Sequence, residues 1–131
     1  MEINKMTLGA AGELRVMSEL MLKGFNPAKS YLDGGIDLIL ENGKKIQVKT
    51  ARKFLKPLNR QQPQYGYTFT FQDWKNKAHK LNVDFIICWC IEDNIFLIIP
   101  KLELKAVGLI FIPLRNETYL RKYINNWDVL N

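Results

Sequence analysis

The sequence predicts an α/β protein, a mixed β-sheet flanked by helices, in one domain spanning residues 1–131. Three observations lead there. A helical pattern opens the chain over 8–24. The pair Asn42-Gly43 sits between two runs of β-branched and aliphatic residues, a strong hairpin signal. The segment Val83 to Ile91 is nearly continuous in apolar residues, as expected of a strand covered on both faces. Composition agrees: 131 residues can bury their own core, and 47% hydrophobic with 24% charged is ordinary for a globular chain.

Taken in order, residues 8–24 place Ala10, Leu14, Met17 and Met21 on one helix face, with Arg15, Glu19 and Lys23 on the other. Glu13 falls inside the apolar arc, where a carboxylate is costly unless it is paired, bound to a cation or able to reach solvent at the edge. Gly24-Phe25-Asn26-Pro27 ends the helix. A first strand is expected over 28–32, then the Asp33-Gly34-Gly35 turn and the hairpin. Residues 51–66, with two prolines and no clear period, read as a long functional loop. Tyr67 to Phe71 alternates as a strand, and Gln72 to Leu81 reads as a helix carrying Trp74, Lys75 and His79. After the apolar strand, Glu92-Asp93-Asn94 turns the chain into Ile95–Ile99. A helical turn at 101–105, a strand at 107–112 and a closing helix at 118–126 complete the pattern, with Trp127 packing back.

Several classes are disfavoured. No apolar run approaches the roughly 20 residues of a membrane span, and the first five residues show no secretory pattern, so a cytoplasmic protein is expected. Cys88 and Cys90 lie too close along a strand for a disulfide framework and read as core thiols of a reducing compartment. The net charge of +6 is unevenly spread. Residues 44–80 hold ten lysines and arginines against one acid, Asp73, while the rest of the chain holds nine bases and twelve acids. Such a block suits a phosphate-facing surface, and Lys45, Arg52, Lys53, Lys56, Arg60 and Lys75 are its candidate phosphate contacts.

Within the hairpin, Asp37, Gln47 and Lys49 interrupt the apolar runs. Gln47 and Lys49 are two apart and share a face. Whether Asp37 joins them is a matter of parity. A two-residue loop at Asn42-Gly43 would pair Asp37 with Val48 and turn it away. A three-residue loop, Glu41-Asn42-Gly43 with Gly43 left-handed, pairs Leu40 with Lys44 and Asp37 with Gln47. The three-residue form is the expectation.

Gly35-Ile36-Asp37 followed by Gln47-Val48-Lys49-Thr50 resembles the active-site hairpin of the PD-(D/E)XK nuclease superfamily. It is similar to the branches in which Gln replaces the second acid: group I intron-encoded homing endonucleases and Mrr-like restriction endonucleases. Ile36 stands where the name-giving Pro would be. The resemblance implies a restriction-endonuclease-like core and a metal-dependent DNA endonuclease that hydrolyses phosphodiester bonds. Asp37, the Gln47 side-chain oxygen and the Val48 carbonyl would hold Mg²⁺ or Mn²⁺. Lys49 would orient the attacking water and stabilise charge on the phosphate, and Glu13 would help position them. A Holliday-junction resolvase and a catalytically silent DNA-binding module of the same fold are the alternatives. The implied partner is double-stranded DNA. The chain is expected to act as a homo-oligomer, a dimer or tetramer, touching through 85–91 and the region of Trp127, because one site cuts one strand.

Overall fold

A computed structural model describes residues 2–31, 35–58, 61–71, 82–104 and 108–131. The chain opens with helix α1, Lys5–Leu22, whose N-cap Asn4 accepts the Thr7 N–H at 2.8 Å through its side-chain oxygen. Helix α1 ends at Lys23, and Gly24 follows at φ +92°.

Its buried face differs from the expected one. Gly12, Val16 and Leu20 are buried, while Leu14 and Met21 stand in solvent. The reason is close approach. A Cβ on Gly12 would overlap Oγ1 of Thr50 on the strand beneath, so the glycine face, not the leucine face, lies against the sheet. Small residues let the helix axis come near the strand, and Val16 and Leu20 then fill the space beyond.

The main sheet is mixed and five-stranded, in the order β1-β2-β3-β6-β7: β1 Ala28–Lys29, β2 Leu38–Ile39, β3 Lys45–Ala51, β6 Phe85–Cys90 and β7 Ile95–Pro100. Strands β3 and β6 run parallel from Ile46↔Phe85 to Ala51↔Cys90; the other pairs are antiparallel. Nearly every β6 residue is buried, as its apolar run requires. One core cluster fills the α1 side, around Val16, Leu20, Ile46, Ile87, Phe96 and Trp127. The other, around Ile86, Cys88, Leu97 and Ile99, meets Tyr67, Phe69 and Ile110 of a second sheet. Burial pushes the Cys88 thiol up, and that of Cys90 up to about 12, so both are protonated core side chains.

The second sheet, β4-β5-β8, was not expected. Most of the stretch read as a loop over 51–66 is instead the hairpin of β4, Phe54–Leu58, with β5, Gln61–Thr70; β8, Leu109–Ile112, pairs with the far half of β5. The period is hidden because the first half of β5 is largely exposed. In addition, the β4–β5 register shifts between Lys56 and Leu58, around Pro57, which has no N–H for the ladder.

The closing segment is also corrected. Thr118–Tyr123 and Trp127–Leu130 are 3₁₀ turns, separated by Asn125 at φ +52°. The Asn125 N–H donates to the Phe96 carbonyl at 2.6 Å and its side chain accepts the Phe96 N–H at 2.9 Å, so docking on β7 takes precedence over a continuous helix. Trp127 does pack back, 5.1 Å from the Phe96 ring. Trp127 and nearly all of 85–90 are buried, so these side chains do not offer the expected oligomer contacts. The expected turn at Lys101–Leu104 is present as 3₁₀. The helix expected over 72–81, with Trp74, Lys75 and His79, lies outside the described residues, as do Arg60 and Asp33. Among the described residues, no helix is long and apolar enough to cross a membrane.

Gly12→Ala should destabilise the fold by about 1–3 kcal/mol through overpacking, despite the better helix propensity of alanine. Thr50→Ala in the same chain should recover most of the loss. Chemical denaturation of the single and double variants checks this, and a neutral Gly12→Ala would show that the helix can move away freely.

Candidate active site at the open edge of the central strand

The hairpin takes the three-residue form. Leu38 pairs with Ile46 and Ile39 with Lys45, and just before this pairing the Asp37 N–H donates to the Ile46 carbonyl at 2.8 Å, which brings Asp37 to the start of the open β3 edge. Gly43 has φ +86°, its N–H donates to the Leu40 carbonyl at 2.9 Å, and the Leu40 N–H donates to the Lys44 carbonyl at 2.9 Å. Side chains pin the turn. Asn42 accepts the Lys44 N–H at 3.1 Å and donates to the Leu130 carbonyl at 3.1 Å, and Glu41 accepts the Asn26 N–H at 2.6 Å.

The site arises where β2 stops. On one side β3 is bonded to β6 along nearly its whole length; on the other it pairs with β2 only at Lys45 and Ile46. Beyond Ile46 the backbone of β3 therefore faces an edge without a strand partner among the described residues. The Asp37 carboxylate occupies the start of that edge, where its Oδ2 accepts the Val48 N–H at 2.7 Å. Within a strand, the N–H and C=O of one residue point the same way, so the Val48 carbonyl lies along the same edge.

Gln47 and Lys49 project to the face shared with Ile86 and Cys88, their parallel partners. The Lys49 ammonium lies 5.6 Å from the Phe71 ring centre and has no ion-pair partner within 4 Å among the described residues. Glu13 is half-buried on α1 and close enough to act electrostatically on Asp37. Lys29 of β1 does the same; sequence reading did not single it out, since only β1–β2 pairing brings it near. Thr50 is structural: it receives the helix at Gly12, and its buried hydroxyl oxygen has no hydrogen-bond partner among the described residues.

The Asp37 pKa is raised above its ordinary 3.8. Burial is the main cause. The Val48 N–H opposes it, the Glu13 charge adds to it, and Lys49 and Lys29 pull it down. A desolvated carboxylate with a second carboxylate nearby is a group whose charge a cation would relieve. The oxygen donors here are the Asp37 carboxylate and the Val48 carbonyl along this edge and the Gln47 amide on the adjoining face of β3. All are hard oxygens that suit Mg²⁺ or Mn²⁺. Among the described residues no three His, Cys, Asp or Glu side chains converge as a metal cluster, so the amide and the carbonyl would have to complete the set.

The basic block is partly consumed by the fold. Arg52 pairs with Glu92 at 2.7 Å and Lys53 with Asp93 at 3.0 Å. Burial alone would raise the Glu92 carboxyl, but the Lys53 N–H and Arg52 outweigh it and hold it low. Asp93 is held low by the Tyr67 hydroxyl and Lys53. Lys44 donates to the Leu130 and Asn131 carbonyls, each at 2.9 Å. Lys45 and Lys56 have no ion pair within 4 Å among the described residues.

The architecture defines a class: an α/β domain whose mixed sheet carries a polar hairpin at the edge of its central strand. The solved structure of a bacterial homing endonuclease, I-Ssp6803I, is similar to it over 98% of this chain and 93% of that one, with a TM-score of 0.71 and 15% sequence identity. No family model and no curated protein matches the chain.

The sign of the Asp37 shift makes a stability prediction. An aspartate with a raised folded-state pKa favours folding fully below its unfolded value of 3.8 and loses that contribution as pH rises through the raised value. At neutral pH the charge therefore costs stability. Asp37→Asn, which can still accept the Val48 N–H, should melt higher than wild type in EDTA at neutral pH. The gap should close as pH falls towards 3.8, and a variant that melts lower throughout would contradict the shift.

Proposed function

We propose that this protein is a metal-dependent DNA endonuclease of the PD-(D/E)XK type, acting as a homing or restriction enzyme. One observation carries the reading: the Asp37 carboxylate meets the Val48 N–H at the open edge of β3, with Gln47 and Lys49 flanking Val48 on the same strand. The likeness in fold to a homing endonuclease supports it.

A divalent ion held by Asp37, Gln47 and the Val48 carbonyl would supply Lewis acidity toward the phosphate and lower the pKa of water. The chain supplies the rest. The Val48 N–H holds the Asp37 carboxylate at the edge. Lys49, with no ion-pair partner among the described residues, is available to an incoming phosphodiester and stabilises the charge that builds on its oxygens. Glu13 adds negative charge beside Asp37, which strengthens the site's hold on a cation and on the Lys49 ammonium. One observation favours the silent-binder alternative: Gln47 leaves the hairpin one carboxylate short.

Cleavage of DNA with Mg²⁺ and its arrest in EDTA separates the two. Lys49→Ala should then reduce the rate at least 100-fold on the order expected for loss of a transition-state charge, with DNA affinity largely kept. Mg²⁺ should raise the melting temperature of wild type and leave Asp37→Asn unchanged. Lys49→Ala cutting at the wild-type rate would refute the mechanism.

Two strands call for two sites, so we assign the chain to a symmetric oligomer, at least a dimer. The outer arc of α1, from Met6 through Met21 and Leu14 to Leu22, carries no charged residue, although these side chains are 86%, 55%, 60% and 79% exposed. A solvent-facing helix ordinarily places its charges there. Two copies, each of net charge +6, meet with least repulsion through such a surface. Sedimentation should find wild type at least dimeric at micromolar concentration and Leu14→Glu/Met21→Glu monomeric with unchanged circular dichroism. A wild-type monomer, both free and on DNA, would overturn the assignment.

A further inference from the structure

A cavity of about 210 Å³ opens against the second sheet, lined by Lys56, Leu109, Phe111, Arg115, Asn116 and Glu117. Its floor is held in place. The buried Phe111 ring packs edge-on to Phe54, with centroids 6.5 Å apart and planes at 90°. A Cβ on Gly66 would overlap both that ring and the Ile112 carbonyl, so β5 presses close against β8 here. Two cations lie against this one ring: Lys56 Nζ is 5.0 Å and Arg115 Cζ 5.3 Å from its centroid. Neither has a carboxylate within 4 Å among the described residues, although Glu117 lines the same cavity. Two like charges held against one rigid ring repel each other, and an anion between them removes that cost. Arg115 comes from outside the basic block of the sequence and meets it only through the pairing of β5 with β8.

We propose that this cavity is a phosphate-binding subsite in which Lys56 and Arg115 together hold one phosphodiester of a bound nucleic-acid backbone. This rests on the nuclease reading above and deepens it. The planar guanidinium presents paired donors to phosphate oxygens, the lysine adds a point charge, and the Asn116 amide offers a further donor. A polymer fits better than a free anion. Strand β5 forms this floor with its neighbours and leads, through Phe71, to the ring beneath the Lys49 ammonium. A chain of phosphates engaged at Lys49 on β3 thus has a second anchor at Lys56 on β4, the next strand along the chain.

The test is binding of a labelled DNA duplex in EDTA, so that nothing is cut, across a range of salt for wild type, Lys56→Ala, Arg115→Ala and the double variant. Affinity should fall in each variant. The slope of log affinity against log salt should drop in the double variant by about 0.9, the share of one phosphate, and not by twice that. Glu117→Gln should tighten binding. Thermal melting of each variant controls for folding, and Arg115→Lys should recover part of the affinity if a variant melts early. Wild-type DNA binding with affinity and slope unchanged in the double variant overturns the subsite and leaves the nuclease reading standing. Stabilisation by inorganic phosphate that the double variant loses, with DNA binding unaltered, also overturns it, because the cavity would then serve a free anion. A wild type that binds no duplex at low salt overturns both.

Discussion

The arrangement depends on an imbalance in how β3 is paired. Its β6 side is closed by a parallel ladder running from Ile46 to Ala51, and its β2 side is closed only at Lys45 and Ile46. Parallel pairing needs a long crossover. The chain uses it to build the β4–β5 hairpin, which returns over the face that carries Gln47 and Lys49. Helix α1 closes the opposite face at Gly12 and Thr50. The unpaired edge left between these layers is where backbone groups, an acid and a lysine can reach the same ligand. Extending β2 by two residues would pair the Val48 N–H and C=O with backbone and abolish the site.

Charge counted along the sequence is not charge offered to a partner. Arg52 and Lys53 belong to the basic block, yet they bind the β6–β7 turn through Glu92 and Asp93. That turn is a junction. Tyr67 donates to Asp93 at 2.7 Å, its hydroxyl pKa pushed to about 12 by burial and by that bond, and Arg15 and Trp89 both donate to Asn94. The pairs tie the start of the second sheet to the end of the first. Arg115, by contrast, lies in a stretch that no charge count selects and becomes a neighbour of Lys56 only in the folded chain.

Parity was legible at the hairpin because two independent signals agree there. Asn42-Gly43 supports a left-handed residue, and the apolar residues Leu38, Leu40 and Ile46 must share the α1 side; only the three-residue loop satisfies both. The strand β6 was legible because an apolar run this short, ended by the Glu92-Asp93-Asn94 turn, suits a covered strand better than a buried helix. The helix face was misread because a wheel weighs size, and the decisive residue was the smallest. Gly12 sets the contact by what it lacks, while Leu14 and Met21 count as core without being in it. The β4–β5 hairpin was missed because its prolines and amides resemble a loop in sequence, and its strand pairing is what makes it a sheet.

Asp37 joins these threads. It is half-buried, lies within the field of Glu13 and holds a raised pKa, all of which cost stability in the isolated chain. Local pairing alone does not account for such a residue. The Val48 N–H would be as well served by a neutral side chain, and Gln47 and Lys49 would be as well placed in solvent. A carboxylate desolvated in this way suits the cation-binding role proposed for it. The gain appears when positive charge enters the edge. Lys49 and Lys29 supply part of it from within the chain, enough to moderate the shift but not to reverse it. In the proposed function that negative charge would attract a cation, and the same ion would neutralise the repulsion between Glu13 and Asp37. The strain is thus placed where a ligand can release it, and the register of one three-residue loop decides whether it exists at all.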